Sequence, residues 1–136
     1  MLVYAFHEGA PDHERFRSWL GSAVASEEPI GLSELVLSGF LRVATHPRIF
    51  SPPATIEAAL GFADVLRAQP NAVIVSPGTR HWDIFGRLCR GAGAKGNLVA
   101  DAYLAALAIE SGSEWITTDR DFSRFPGLRW RHPLAS

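Results

Sequence analysis

The chain has 136 residues, of which 47% are hydrophobic, and its formal net charge is −1. This length and composition are enough to bury an apolar core, so we expect one globular domain over residues 1–136. A single cysteine, Cys89, excludes a disulfide framework and a thiolate zinc site. No apolar run reaches the roughly 18 residues of a membrane span, and no signal peptide is apparent. The sequence therefore predicts a soluble, cytoplasmic protein.

The charges are distributed unevenly along the chain. Residues 1–64 carry four arginines against eight acids, whereas residues 65–136 carry nine basic residues against six acids. The basic second half could contact phosphate groups, with Arg120 and Arg124 among the candidate residues. A solvated surface of mixed charge explains the same pattern equally well.

The first predicted elements are a helix and a strand. The stretch PDHERFRSWLGSAVAS, residues 11–26, spaces its large apolar side chains at helical period and places Pro11 in the first turn. The short apolar run EPIGL that follows is typical of a strand.

The next helix places an acid directly after that strand. SELVLSGFLRVATHP, residues 33–47, has helical period, with Ser33 as the expected N-cap. Glu34 therefore lies in the first turn of a helix, just past a strand end.

In the rest of the chain helices regularly separate short strands. This alternation requires crossover connections, so we predict the α/β class with a mostly parallel sheet covered by helices on both faces. The run NAVIVS is rich in β-branched residues and predicts a buried strand. The further helices are predicted at SPPATIEAALGFADVLRAQP, TRHWDIFGRLCRGAG and NLVADAYLAALAIESG, and the further strands at EWITT and LRWRH.

Four acids are expected at the functional end of this sheet, because the crevice of an open α/β sheet lies beyond the carboxyl ends of its strands. Glu34 follows one strand, Asp119 and Asp121 follow another, and Asp101 lies near the start of an apolar helix. A buried aspartate is costly unless it is paired, hydrogen-bonded or bound to a cation. Asp101 could still act as a local cap or ion-pair partner, and a metal ligand is the alternative that we favour.

Converging carboxylates favour a hard divalent cation, either Mg²⁺ or Mn²⁺. Such a site can generate hydroxide from bound water and stabilise displacement at a phosphodiester.

Four stretches of the chain form a recognisable series: LVYAFHEGAPDH, GLSELVLSGFLRVATHP, GNLVADAYLAALAIE and WITTDRDFSRFPGLRW. Together they resemble the PIN domains of VapC-type toxins, the ribonuclease members of bacterial and archaeal toxin–antitoxin pairs. The resemblance covers essentially the whole chain. It implies a three-layer α/β/α sandwich with a mostly parallel sheet, RNA cleavage that depends on Mg²⁺ or Mn²⁺, and inhibition by a cognate VapB-like antitoxin.

The resemblance also assigns site residues. Glu34, Asp101 and Asp119 match the family's metal-binding acids, and Asp121 matches a further catalytic acid that many members carry. Thr118 lies where the family often has a hydroxyl beside the site, and Asn97 is assigned as an auxiliary residue at its helix end.

The chain departs from the family pattern at its start. In these toxins an apolar strand ending in D-x-N comes first, and Met1 falls inside that pattern. We therefore expect the first strand and its aspartate to be absent from this chain, and a start codon to lie upstream in frame. MLVYAF by itself is typical of a strand, whereas the resemblance makes it the first turns of a helix, which is our prediction.

Two interpretations of function follow. The first is an active endoribonuclease toxin, a homodimer that also binds its antitoxin. The second is a degenerate, non-catalytic PIN domain that binds antitoxin or RNA.

Overall fold

A computed structural model describes residues 1–135, which form two compact units. The first unit is Met1–Ile74, and the second begins at Val75. Both contain helices and a pair of parallel strands, so the predicted α/β class is confirmed. No helix within residues 1–135 has both the length and the apolar character needed to cross a membrane.

The first unit contains four helices and two strands. The strands pair in parallel, with Ile30 opposite Ala72 and Leu32 opposite Ile74. The stretch MLVYAF is helical, as the resemblance implied. The elements are α1 (Leu2–Phe6), α2 (His13–Ala25), β1 (Ile30–Leu32), α3 (Glu34–Ala44), α4 (Ile56–Arg67) and β2 (Ala72–Ile74).

The core of this unit lies between α1, α3 and α4. Phe40 of α3 is 4% exposed and meets the ring of Phe6 edge-on, with centroids 5.3 Å apart. Phe62 of α4 completes the cluster at 5.2 Å from Phe40. Alanines at 59 and 63 of α4 are buried beside these rings and let the helices approach closely. The packing fixes α3 and thereby the position of its first residue, Glu34.

Two local predictions in this unit need correction. Pro11 does not lie in a helical turn: α2 begins at His13, after Asp12 adopts a left-handed conformation with φ of 56°. The strand β2 is not buried, since Val73 is 51% and Ile74 39% exposed. Within residues 1–135 β2 pairs only with β1, so it is an edge strand and its apolar side chains are not enclosed.

The second unit contains two packed helices and two short parallel strands. Alanines of α6 are fully buried against Ile84 and Leu88 of α5, and His81 Nε2 lies 3.0 Å from the carbonyl oxygen of Tyr103. The strand predicted at EWITT is shorter than expected. The elements are α5 (His81–Ala92), α6 (Asn97–Ser111), β3 (Trp115–Ile116), a 3₁₀ helix (Arg120–Arg124) and β4 (Trp130–Arg131).

A carboxylate holds the start of α5 against the end of α6. Glu110 of α6 accepts hydrogen bonds from the backbone N–H of Gly78 to Oε1 at 2.7 Å and from that of Arg80 to Oε2 at 3.0 Å. These donors, Gly78 foremost, hold the pKa of Glu110 below its usual range. A Cβ at position 78 would lie 2.6 Å from Glu110 Oε2, so the contact requires glycine. The clamp ties α5 to the helix that carries Asp101.

Candidate metal centre

Three aspartates from two elements converge in the second unit. Asp101 lies in the second turn of α6, Asp119 caps the 3₁₀ helix and Asp121 lies within its first turn. One carboxylate oxygen of each lies within 4.8 Å of those of the other two. Asp101 is half-buried, while Asp119 and Asp121 are exposed. The geometry therefore offers three oxygen ligands to a single ion.

Local hydrogen bonds set the conformation of the loop after β3. The N–H of Asp119 donates to Thr117 Oγ1 at 3.1 Å, and Asp119 Oδ1 accepts from the N–H of Asp121 at 2.9 Å. Thr117 is buried, at 8% exposed. The Thr117 hydroxyl thus fixes the backbone at Asp119, and Asp119 Oδ1 caps the N-terminus of the 3₁₀ helix.

The cluster carries uncompensated negative charge. The pKa of Asp101 is raised by burial first, and then by the nearby charges of Asp119 and Asp121. Arg124 lies 4.0 Å from Asp121, but both side chains are more than half exposed, so this ion pair is weak. A bound cation would remove this repulsion. The set contains carboxylates only, which suits Mg²⁺ or Mn²⁺ rather than zinc.

Glu34, the fourth predicted acid, belongs to the first unit. It is the first residue of α3 and follows β1 by one residue, Ser33, which stands at the N-cap position as predicted. Its Oε2 accepts a hydrogen bond from Arg67 NH2 at 3.1 Å. The structure thus brings three of the four predicted acids together and pairs the fourth with an arginine of its own unit.

The auxiliary residues predicted from the sequence show no direct link to the cluster. Within residues 1–135, no hydrogen bond joins the side chain of Asn97 or Thr118 to the three aspartates. Arg120 and Arg124 are exposed at either end of the 3₁₀ helix. The sequence interpretation missed Thr117, although its position two residues before Asp119 is compatible with a side chain turning back to a backbone N–H.

Comparisons with known proteins agree with this architecture. The profile of the PIN domain matches residues 1–128. The VapC ribonuclease Mb2897 of Mycobacterium bovis is 43% identical over 134 residues, which cover 98% of this chain and 91% of that protein. Ribonuclease VapC25 of Mycobacterium tuberculosis is 37% identical over 133 residues, covering 97% of this chain and 94% of the relative.

A solved structure shows the same fold at lower sequence identity. The crystal structure of VapBC2 from Rickettsia felis bound to a DNA fragment from their promoter superposes with a TM-score of 0.64 and 19% identity. The match covers 96% of this chain and 91% of that one. At this identity the likeness concerns the fold alone.

Proposed function

Because the chain belongs to the PIN domain family and is similar over nearly its whole length to VapC ribonucleases, we propose that it is a metal-dependent endoribonuclease, the toxin of a toxin–antitoxin pair. Its substrate is RNA, its cofactor is Mg²⁺ or Mn²⁺, and it acts in the cytoplasm. The observation that carries the proposal is the convergence of Asp101, Asp119 and Asp121 within 4.8 Å. These are residues that the sequence had already assigned to the site.

In this proposal each acid has a distinct task. Asp101 presents its carboxylate from a packed helix, so its position is rigid, and Asp119 is oriented by the loop bonds of Thr117 and Asp121. The family resemblance assigns Glu34, at the start of α3, as a further metal ligand. A divalent cation bound by such a set lowers the pKa of a coordinated water and stabilises charge at the phosphodiester.

Two arginines of the 3₁₀ helix are assigned to binding of the RNA backbone. Arg120 and Arg124 are exposed and lie on the same 3₁₀ helix as Asp121. Guanidinium groups in this position can donate hydrogen bonds to phosphate oxygens. We assign them to substrate binding and not to the chemical step.

The proposal includes two protein partners, a VapB-like antitoxin and a second copy of the chain. Large apolar side chains lie on the surface, among them Trp82, which is 72% exposed, and Val65, which is 60% exposed. Exposed aromatic side chains such as Trp82 are enriched at protein–protein interfaces. Light scattering of the chain alone and after co-expression with a candidate VapB-like antitoxin measures both associations.

The catalytic proposal is tested with the purified chain, labelled RNA and Mn²⁺. Asp119→Asn should lower the cleavage rate by more than about 100-fold, beyond the loss typical of outer-shell partners of a metal. Asp83→Asn is the matched control, because Asp83 is an exposed acid in the first turn of α5. The Asp83→Asn variant should cleave RNA like the wild type, and EDTA should stop cleavage by both of these proteins.

Equal cleavage by the wild type and Asp119→Asn would contradict the assigned site. A wild-type chain that neither cleaves RNA nor gains thermal stability with Mn²⁺ would instead support the non-catalytic PIN domain.

A further inference from the structure

The 3₁₀ helix that carries Asp121 has one apolar side and one polar side. Residues three apart lie on the same side of a 3₁₀ helix. Phe122 and the residue that ends the helix, Phe125, are three apart, and both are buried, at 4% and 2% exposed. Asp121 and Arg124 are also three apart, and both are exposed. The helix is therefore attached to the protein through its two phenylalanines.

The core that surrounds Phe122 is built largely by α6. Ala102 and Ala105 of α6 are fully buried, and they belong to the same apolar cluster as Phe122. Alanine side chains are short, so an aromatic ring can pack close to the backbone of the helix. The ring of Trp115, from β3, lies with its centroid 5.3 Å from that of Phe122. Phe122 thus joins the 3₁₀ helix to α6 and β3 through apolar packing.

This packing brings together the neighbours of two acids. Phe122 directly follows Asp121, and Ala102 directly follows Asp101. A shift of the ring away from α6 would therefore move Asp121 away from Asp101. The separation of the carboxylates, whose oxygens lie within 4.8 Å of one another, depends on how closely Phe122 approaches α6.

Polar contacts do not fix this separation. Within the described part of the chain, no hydrogen bond or ion pair joins residues 119–125 to α6. The hydrogen bonds of Thr117 and Asp119 act within the loop, and β3 ends at Ile116, before the acids. The three carboxylates repel one another when no cation is bound. Apolar packing has to hold the 3₁₀ helix in place against this repulsion.

We propose that Phe122 is a positioning residue that holds Asp119 and Asp121 beside Asp101 before a cation binds. The inference rests on the proposed function, in which these aspartates bind Mg²⁺ or Mn²⁺, and deepens it. A ligand set that is already assembled binds more tightly than one that has to be ordered on binding. Loss of a group that supports metal ligands costs about 10–100-fold in metal affinity.

The test is Mn²⁺ binding to the full chain, measured by isothermal titration calorimetry in the absence of RNA. Phe122→Leu stays apolar but fills less of the space beside α6, so the Mn²⁺ affinity should fall by about 10-fold. Phe122→Met should recover part of this loss, because its long and flexible side chain fills irregular gaps.

Phe125→Leu is the matched control. Phe125 is a similarly buried ring on the same side of the 3₁₀ helix, but its neighbours in sequence are Arg124 and Pro126 instead of an acid. Its Mn²⁺ affinity should stay close to that of the wild type. Thermal unfolding in EDTA should show a similar fall in Tm for Phe122→Leu and Phe125→Leu, since each variant removes atoms from the same core.

The Mn²⁺ affinities, compared at similar loss of stability, decide between positioning and a merely structural role. An equal affinity in Phe122→Leu and Phe125→Leu would overturn the inference and leave the metal site in place. If Phe122→Leu does not fold, the same comparison is made between Phe122→Met and Phe125→Met. Absence of Mn²⁺ binding by the wild type would overturn the proposed metal site itself, and the inference about Phe122 with it.

Discussion

Replacing Asp101 by asparagine should make the metal-free protein more stable and remove its response to metal. The substitution keeps the size and shape of the side chain but removes one of three charges whose oxygens lie within 4.8 Å. The pKa of Asp101 is raised by burial and by the other two aspartates, which means that the charged form is disfavoured in the folded chain. The variant therefore relieves repulsion that the wild type retains at neutral pH.

The magnitude follows from Coulomb's law. Two unit charges at 4.8 Å repel by about 0.9 kcal/mol in a water-like dielectric and by about 3.5 kcal/mol at an effective dielectric constant of 20. Asp119 and Asp121 are exposed, so the lower value applies, and salt reduces it further. Loss of both interactions should stabilise the metal-free fold by about 1 kcal/mol, which corresponds to a rise in Tm of roughly 2–6 °C for a domain of this size.

Thermal unfolding in EDTA and in excess Mn²⁺ measures both parts of this prediction. Wild type should gain about 2.7 kcal/mol when the free Mn²⁺ concentration is 100 times its dissociation constant. Asp101→Asn should start from a higher Tm in EDTA and gain far less with Mn²⁺. A lower Tm in EDTA would refute the repulsion argument, and an undiminished Mn²⁺ shift would refute the role of Asp101 as a ligand.

Two further predictions concern hydrogen bonds that set the site's surroundings. Because the pKa of Glu110 is lowered in the fold, its carboxylate stabilises the protein at neutral pH and loses this effect as the pH falls through the folded pKa. Glu110→Gln should therefore have a lower Tm than wild type near neutral pH, and the two Tm curves should converge on acidification; parallel curves would contradict this. Thr117→Val removes the acceptor of the Asp119 N–H and should weaken Mn²⁺ binding about 10-fold. Thr118 does not make that bond, so Thr118→Val should bind Mn²⁺ like the wild type. Equal losses of Mn²⁺ affinity in the two variants would argue against the role assigned to Thr117.

Local sequence signals predicted the helices well. The period of SELVLSGFLRVATHP and the N-cap position of Ser33 placed α3 and its acid Glu34 correctly. The glycine after α5 stops that helix at Ala92, with Gly93 in the left-handed conformation at φ of 58°. These features depend on residues within one or two turns of each other, so a single sequence contains the necessary information.

Features that depend on distant pairing were harder to predict. The run NAVIVS has the composition of a buried strand, yet the exposure of Val73 and Ile74 depends on which strands and helices lie beside it. MLVYAF has no decisive period, and only the resemblance to a family indicated a helix. The contact of Arg67 with Glu34 spans 33 residues of sequence, and no local sequence pattern predicts it.

The candidate site was predicted only in part, because contacts between distant segments are not visible in the sequence. Asp119 and Asp121 were found because they follow a strand within a few residues, and Asp101 because an aspartate is unusual in so apolar a helix. Thr117 was overlooked in favour of Thr118, because the sequence does not reveal which of two adjacent hydroxyls turns inward. The structure shows that it is Thr117, whose Oγ1 accepts from the N–H of Asp119.

The clamp between Gly78 and Glu110 has a consequence for how the family can vary. A methyl group at position 78 would meet only the end of a flexible side chain, so it would displace the Glu110 carboxylate and leave the backbone in place. The hydrogen bond from the Gly78 N–H therefore depends on both glycine at 78 and glutamate at 110. In an alignment of relatives the two positions should change together, although 32 residues separate them in the sequence. A lineage that loses the glycine is then free to lose the glutamate, and it must hold the start of α5 by other contacts.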